Sequence, residues 1–418
     1  MEEAMKNYTL HIPEGVRDYI GEEASIKETL QNQIKKVFTS YSYNLIETPT
    51  FEYLDVFTLG ENGFQKPQLY HLINRQGEVV ALRSDMTRAI ARVASTQTSQ
   101  LPFPQRYAYM ASSFRYPERY QGKLHEFTQG GIELIGINSV GADAEVIKVA
   151  IDALQAVGLK DFTIHIGSSQ FLEYTLSDIG LGEEDREAVY KAIDHKDAVS
   201  LRAILQEAHI EEETLEMLLE LIQCAGKIEI LRSVKEKMSA PASKQALAYL
   251  EELYSLLEDY GVAQYVLFDF SLLSYANYYT GVMFQIFTKG IGSALVEGGR
   301  YDGLLQMFKE SQPAVGFGVH INLLLQKLVK DRELVSMNAN RHLIYYKEEN
   351  RQSALRVAEN FRKKGLIVET SFFESLEETL AYGKQQGMGK VLCFKGSMEV
   401  DVYDLACGTV EETTVSAL

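Results

Sequence analysis

The chain has 418 residues, more than one small core can organise, so two or three domains are expected. Its 58 acidic against 41 basic side chains give a formal net charge of -17, which excludes a broad electrostatic grip on nucleic acid while leaving room for a local basic patch. Cys224, Cys393 and Cys407 are scattered and form no CxxC pair, which excludes a disulfide framework or a cysteine zinc site and fits a reducing cytoplasm. The opening "MEEAMKNYTLHIPEG" has early acids and no apolar centre, unlike a signal peptide, and no run of about 18 apolar residues predicts a membrane span.

In chain order, "SIKETLQNQIKKVFTSY" (25–41) spaces Ile26, Leu30, Ile34, Val37 and Phe38 as one helix face. In "NLIETPTFEYLDVF", Pro49 follows a short strand-like run and predicts a strand that ends there or lies at an edge. "LYHLINRQGEVVALRSD" predicts a hairpin turning at Gln76-Gly77, with "MTRAIARVAS" as the helix behind it. Next come "QRYAYMASSFRY", a basic and aromatic hairpin tip in "SFRYPERYQGKLHEFTQGGIELIG" (113–136), and a helix "DAEVIKVAIDALQAVG" with a glycine stop. From about 181 to 260 the sequence is almost all helix-forming and rich in glutamate, which predicts a helical insertion. Strands return in "AQYVLFDFSLLSYANYYTGVMFQIFTK", "GSALVEGGRYDGLLQMF" adds a glycine-rich turn, and a helix from about Ile321 closes a body spanning 1–330. Residues 341–418 alternate strand and helix patterns as a small separate α/β domain.

Phosphate-loop, dinucleotide, HExxH and GxSxG signatures are absent. His125-Glu126 lacks a second ligand at helical spacing, so no metal is expected. What remains is a set of polar residues able to face one cavity. Asp85 and Thr87 fall at the end of an apolar strand, where carboxylate and hydroxyl could hold an amino group. Gln129 and Glu133, four apart, share a strand face with Gly131 between them, whose missing side chain leaves room for a ligand. Tyr278 and Tyr279 precede a Thr-Gly turn and offer an aromatic wall and a phenol. Such groups suit a small zwitterion with a donor side chain. Spacing alone does not separate this pocket from the wet face of an ordinary antiparallel sheet.

The combination resembles the catalytic core of class II histidyl-tRNA synthetases over roughly residues 8–330. The matching pieces are "IPEGVRDY", "LIETPTFEYLDVF" with the motif 1 proline, "LRSDMTRAIAR", the 113–136 hairpin as motif 2, "NYYTGVMF", and "EGGRYDGLLQMF" with "PAVGFGV" as motif 3. The resemblance implies an α+β fold with an antiparallel sheet flanked by helices, dimerising through motif 1, with 341–418 as a shortened anticodon-binding domain. It implies a histidine site at Asp85, Thr87, Arg115, Gln129, Glu133, Tyr278 and Tyr279.

The same resemblance marks departures. Motif 2 keeps Arg115, but Pro117 stands where a glutamate is expected and Lys123 and His125 where arginines are. Ser274-Tyr275 replaces the "RG" that opens the histidine-specific motif, His320 a motif 3 glycine, and Leu323 the arginine that grips the terminal phosphate. Each lost charge-stabilising donor costs on the order of 3 kcal/mol in a transition state, so adenylation is expected to be lost while the amino-acid side is kept. Residues 341–418 carry 10 basic and 12 acidic side chains, opposite to an RNA-binding face. This pattern is similar to the regulatory-subunit family of bacterial ATP phosphoribosyltransferase. That family implies no catalysis and no cofactor, a short-form catalytic subunit as partner, and histidine as effector. An active histidyl-tRNA synthetase with substituted motifs and a tRNA-binding sensor are the alternatives; neither tRNA nor a membrane is an expected partner.

Overall fold

The computed structural model describes residues 8–60, 63–117, 124–223, 225–238, 240–272, 279–309, 311–331 and 341–417. Contacts divide the chain into two units, residues 1–19 with 26–333 and residues 20–25 with 334–418.

Helix α1 (Gly21–Ser40) buries Leu30, Ile34 and Phe38, spaced by four so that they stack on one face. Strand β1 (Asn44–Leu45) stops short of Pro49 and is the edge of the main sheet, where a missing backbone donor is tolerated. Beyond Pro49, β2 (Phe51–Tyr53) leads at once into helix α2 (Leu54–Thr58), which buries Leu54, Val56 and Phe57. Strands β3 (His71–Ile73) and β4 (Val79–Leu82) form the expected hairpin, with Gly77 at φ 85° where a side chain would be strained. With β2 they make a small sheet in the order β2-β4-β3. Helix α3 (Thr87–Ser95) follows, so Thr87 opens a helix rather than ending a strand.

The centre of the first unit is the antiparallel hairpin β5 (Gln105–Phe114) and β6 (Glu126–Ile135). Helix α4 (Val140–Ala156) is capped by the Ser139 hydroxyl, which accepts from the Ala142 N–H at 3.2 Å, and Gly158 follows at φ 90°. After β7 (Thr163–Ser168) and α5 (Ser169–Asp178), the 181–260 stretch is helical as its composition predicts. It comprises α6 (Glu183–Asp194), α7 (Ala198–Glu207), α8 (Glu212–Gln223), the two-residue β8 (Ala225–Gly226), α9 (Ile228–Lys237) and α10 (Pro241–Asp259). Strands β9 (Val266–Asp269), β10 (Val282–Phe287), β11 (Val296–Arg300) and β12 (Ala314–His320), then helix α11 (Ile321–Lys330), complete the unit. The sheet order is β1-β5-β6-β12-β11-β10-β7-β9-β8, antiparallel except for the pairs β1·β5 and β7·β9.

The second unit is a mixed sheet ordered β14-β13-β15-β16-β17. Its strands are β13 (Arg341–Tyr346), β14 (Ile367–Thr370), β15 (Lys390–Phe394), β16 (Glu399–Asp404) and β17 (Val410–Thr414). Helices α12 (Arg351–Lys363) and α13 (Leu376–Gln385) join the parallel strands in the rhythm the sequence predicts. Ile344, Ala354, Phe361 and Phe394 lie in its core.

Candidate functional site

The strand register determines which side chains meet. Tyr107, Glu133, Gly316, Gly299 and Met283 lie side by side across β5, β6, β12, β11 and β10. One row further along lie Tyr109, Gly131, Gly318, Glu297 and Gln285. Because alternate residues share a face, Gln129, Gly131 and Glu133 project together as the sequence predicts. The glycines of β11 and β12 make the floor low. A Cβ on Gly316 would collide with the Glu133 carboxylate and one on Gly318 with the Gln129 amide, while one on Gly299 would lie 2.8 Å from the Tyr279 ring.

Gly131 acts otherwise than expected. The volume its missing side chain leaves is taken by the Tyr109 phenol and the Phe317 carbonyl, and Tyr109 is itself buried. The glycine therefore accommodates a protein side chain, just as Gly316 accommodates the Glu133 carboxylate and Gly318 the Gln129 amide.

Glu133 is 1% exposed. Its Oε1 accepts from the Thr87 hydroxyl at 2.7 Å and its Oε2 from the Tyr301 hydroxyl. Burial pushes its pKa up to about 8, the two hydroxyls pull against that, and the neighbouring Asp85 adds to it. Asp85 lies between β4 and α3, where one oxygen accepts the Arg88 N–H at 3.2 Å. Burial raises its pKa as well, opposed by the charges of Arg88 and Arg115. Glu133 thus feels a second buried carboxyl while its own donors are neutral hydroxyls.

The remaining site residues form the rim. Gln129 Oε1 is buried without a hydrogen-bond partner. Arg115 does not reach Glu133: it donates to the Ser84 carbonyl at 3.3 Å and lies over the rings of Phe64 and Phe127, with its Nε buried and unpartnered. Tyr279 packs on the Gly299 backbone. Tyr278 lies outside the described residues, as do Lys123 and Ser274. His320 ends β12 and stacks on Phe127, ring centroids 4.6 Å apart. Tyr301 is the participant sequence reasoning missed. Its signal was the alternation Glu297, Gly299, Tyr301, hidden inside what reads as a glycine turn. With a buried, unpartnered amide oxygen at Gln129, a buried, unpartnered guanidinium N–H at Arg115 and two buried carboxyls, the arrangement offers the polar groups that suit a small zwitterion. Among the described residues no group of three metal-ligating side chains exists, and no helix is long and apolar enough to cross a membrane.

An antiparallel sheet carrying this site defines the class. A family model for histidyl-tRNA synthetase matches residues 15–324. A crystal structure of histidyl-tRNA synthetase from Nostoc sp. PCC 7120 shares the fold at TM-score 0.84, with 22% identity and 97% of each chain covered. The relatives are more specific. The ATP phosphoribosyltransferase regulatory subunit of Acetivibrio thermocellus is 36% identical over 417 residues, 99% of each chain. That of Thermoanaerobacter pseudethanolicus is 37% identical over 365 residues, 87% of this chain and 95% of the other. A Bacillus halodurans structure described as an ATP phosphoribosyltransferase regulatory subunit/histidyl-tRNA synthetase superposes with TM-score 0.81 at 30% identity, covering 90% of this chain and 97% of that one. The chain belongs to the family of ATP phosphoribosyltransferase regulatory subunits.

Proposed function

We propose that this chain is the non-catalytic regulatory subunit of a two-component ATP phosphoribosyltransferase. A short-form catalytic subunit depends on it for activity, and histidine bound in the Glu133 pocket inhibits the complex, the first step of histidine biosynthesis. The observation that carries this reading is the Glu133 environment: a buried carboxyl with only hydroxyl donors, next to a second buried carboxyl. An ammonium group placed there supplies the missing positive charge and is held by charge-assisted hydrogen bonds. Gln129 Oε1 accepts a further N–H, Arg115 Nε meets the ligand carboxylate, and Tyr279 lies along the imidazole.

Loss of adenylation is supported by the residue types at Pro117, Lys123, His125, Ser274, His320 and Leu323, and by the stacking of His320 on Phe127, which covers that aromatic face from within the chain. Self-association through motif 1 is supported by the small sheet. Phe51, Tyr53 and Leu72 share one of its faces and are 57%, 56% and 49% exposed, an apolar patch of the kind that pairs with its own copy.

The test mixes this chain with a short-form catalytic subunit from the same organism, ATP and phosphoribosyl pyrophosphate. Product formation that needs this chain and falls with histidine is the expected result. No dependence on the chain, combined with histidine-dependent ATP–pyrophosphate exchange by the chain alone, identifies an active synthetase instead.

A further inference from the structure

Arg300 ends β11 and Tyr301 follows it, and their side chains take opposite directions, as alternation along a strand requires. Tyr301 reaches Glu133 on the pocket side. Arg300 enters the helical layer behind, where it is 4% exposed and Asp143 of α4 is 1% exposed. Its guanidinium binds both Asp143 oxygens, Nε at 3.3 Å from Oδ2 and Nη2 closer to Oδ1. It also donates to the Ile137 carbonyl and to Asp302, each at 3.2 Å. Burial works against the Arg300 charge, but Asp143 overrides it and raises the pKa, so the group stays protonated. The Tyr249 hydroxyl of α10 donates to Asp143 Oδ2 at 2.7 Å.

Residues 300–302 also hold the other pocket wall. The Thr280 N–H donates to the Arg300 carbonyl at 2.7 Å and the Asp302 N–H to the Thr280 hydroxyl at 2.9 Å, fixing the turn next to Tyr279. Asp302 in turn accepts the Ala314 N–H at 2.9 Å, at the start of β12. Glu133, through Tyr301, and Tyr279, through Thr280, therefore hang from one anchor whose far side is clamped by α4 and α10.

We infer that Asp143 and Tyr249 are positioning residues for the ligand pocket, acting through Arg300 to set Tyr301 and Tyr279, and that they make α10 the helix that registers pocket occupancy. The inference rests on the proposed histidine site for its ligand, but its geometric content is testable without one. In Tyr249→Phe, one hydroxyl is removed from a buried carboxylate and the ring is kept. Hydrogen exchange of the ligand-free chain should then speed up at the Thr280 and Asp302 amides by about 5- to 10-fold, while the core of β6 is unchanged. Histidine affinity measured by calorimetry should fall by a similar, roughly 5- to 10-fold factor. In the unmodified chain, histidine should protect α10 amides, and Tyr249→Phe should abolish that protection. Asp143→Asn should repeat these effects more strongly, with far-ultraviolet circular dichroism verifying the fold. Exchange at Thr280 and Asp302 that matches the unmodified chain overturns the inference, as does a loss of stability spread evenly over the sheet, which marks a purely structural role. Failure of the unmodified chain to bind histidine counts against the proposed function and leaves positioning to be judged on ligand-free exchange.

Discussion

Strand β6 serves both ends of the site, and they are finished differently. Toward its C-terminal end Glu133 has two hydroxyl donors, a glycine floor and a second carboxyl close by. Toward its N-terminal end Phe127 is covered by the stacked imidazole of His320, with the Arg115 guanidinium on its ring. The first end keeps unmet hydrogen-bonding and charge requirements that a ligand can fulfil. At the second the Phe127 ring is covered from within the chain, and the Arg115 Nε is left without a partner. Under the proposed function, recognition and chemistry would be separable on one scaffold, with the His320 end closed to a nucleotide and the Glu133 end kept for an amino acid.

The most damaging way to test this contrast is Glu133→Ala, which should weaken histidine binding by ~100-fold or more by removing the ammonium's charged acceptor. Feedback inhibition should vanish while the variant still activates the catalytic subunit. Next in size is pH. With Glu133 titrating at about 8, an ammonium ligand must displace its proton, so affinity should rise roughly tenfold between about pH 6.5 and 7.5. A flat calorimetric profile over that window would remove Glu133 from the ammonium site. Stability should move the other way. The folded pKa lies above the ordinary 4.5, so the folded chain holds this proton more tightly than the unfolded one. That contribution is full below about pH 4.5 and is lost as pH rises through 8. Glu133→Gln should therefore stabilise the ligand-free chain at pH 8 more than at pH 5 in denaturant titrations.

Tyr301→Phe should cost about fivefold in histidine affinity, the worth of one hydrogen bond. His320→Gly, at the closed end, should lower stability by about 1–2 kcal/mol through the lost stack and leave histidine affinity within about twofold. A large change in histidine affinity there would show that the two ends are not independent.

Much of this was legible beforehand because period-two alternation is a strong signal on a long strand. It placed Gln129 and Glu133 on one face, and the Gln76-Gly77 turn gave the hairpin. What escaped depends on neighbours distant in sequence. Nothing within "FTQGGIELIG" reveals that Tyr109 fills the space at Gly131, because that needs the β5·β6 register. Tyr301 was obscured because "EGGRYDG" resembles a loop, although two of its glycines belong to a strand. Thr87 reads as a strand end because only four residues separate the apolar run of β4 from α3.

The glycine floor carries a consequence for microbial genetics. Gly316 and Gly318 have no polar side chain, yet a single methyl at either would press on Glu133 or Gln129. In a screen for strains that grow on a toxic histidine analogue, changes of these two codons to alanine or serine should recur among the survivors if Glu133 and Gln129 form the proposed histidine site, because each would distort that site without removing either residue.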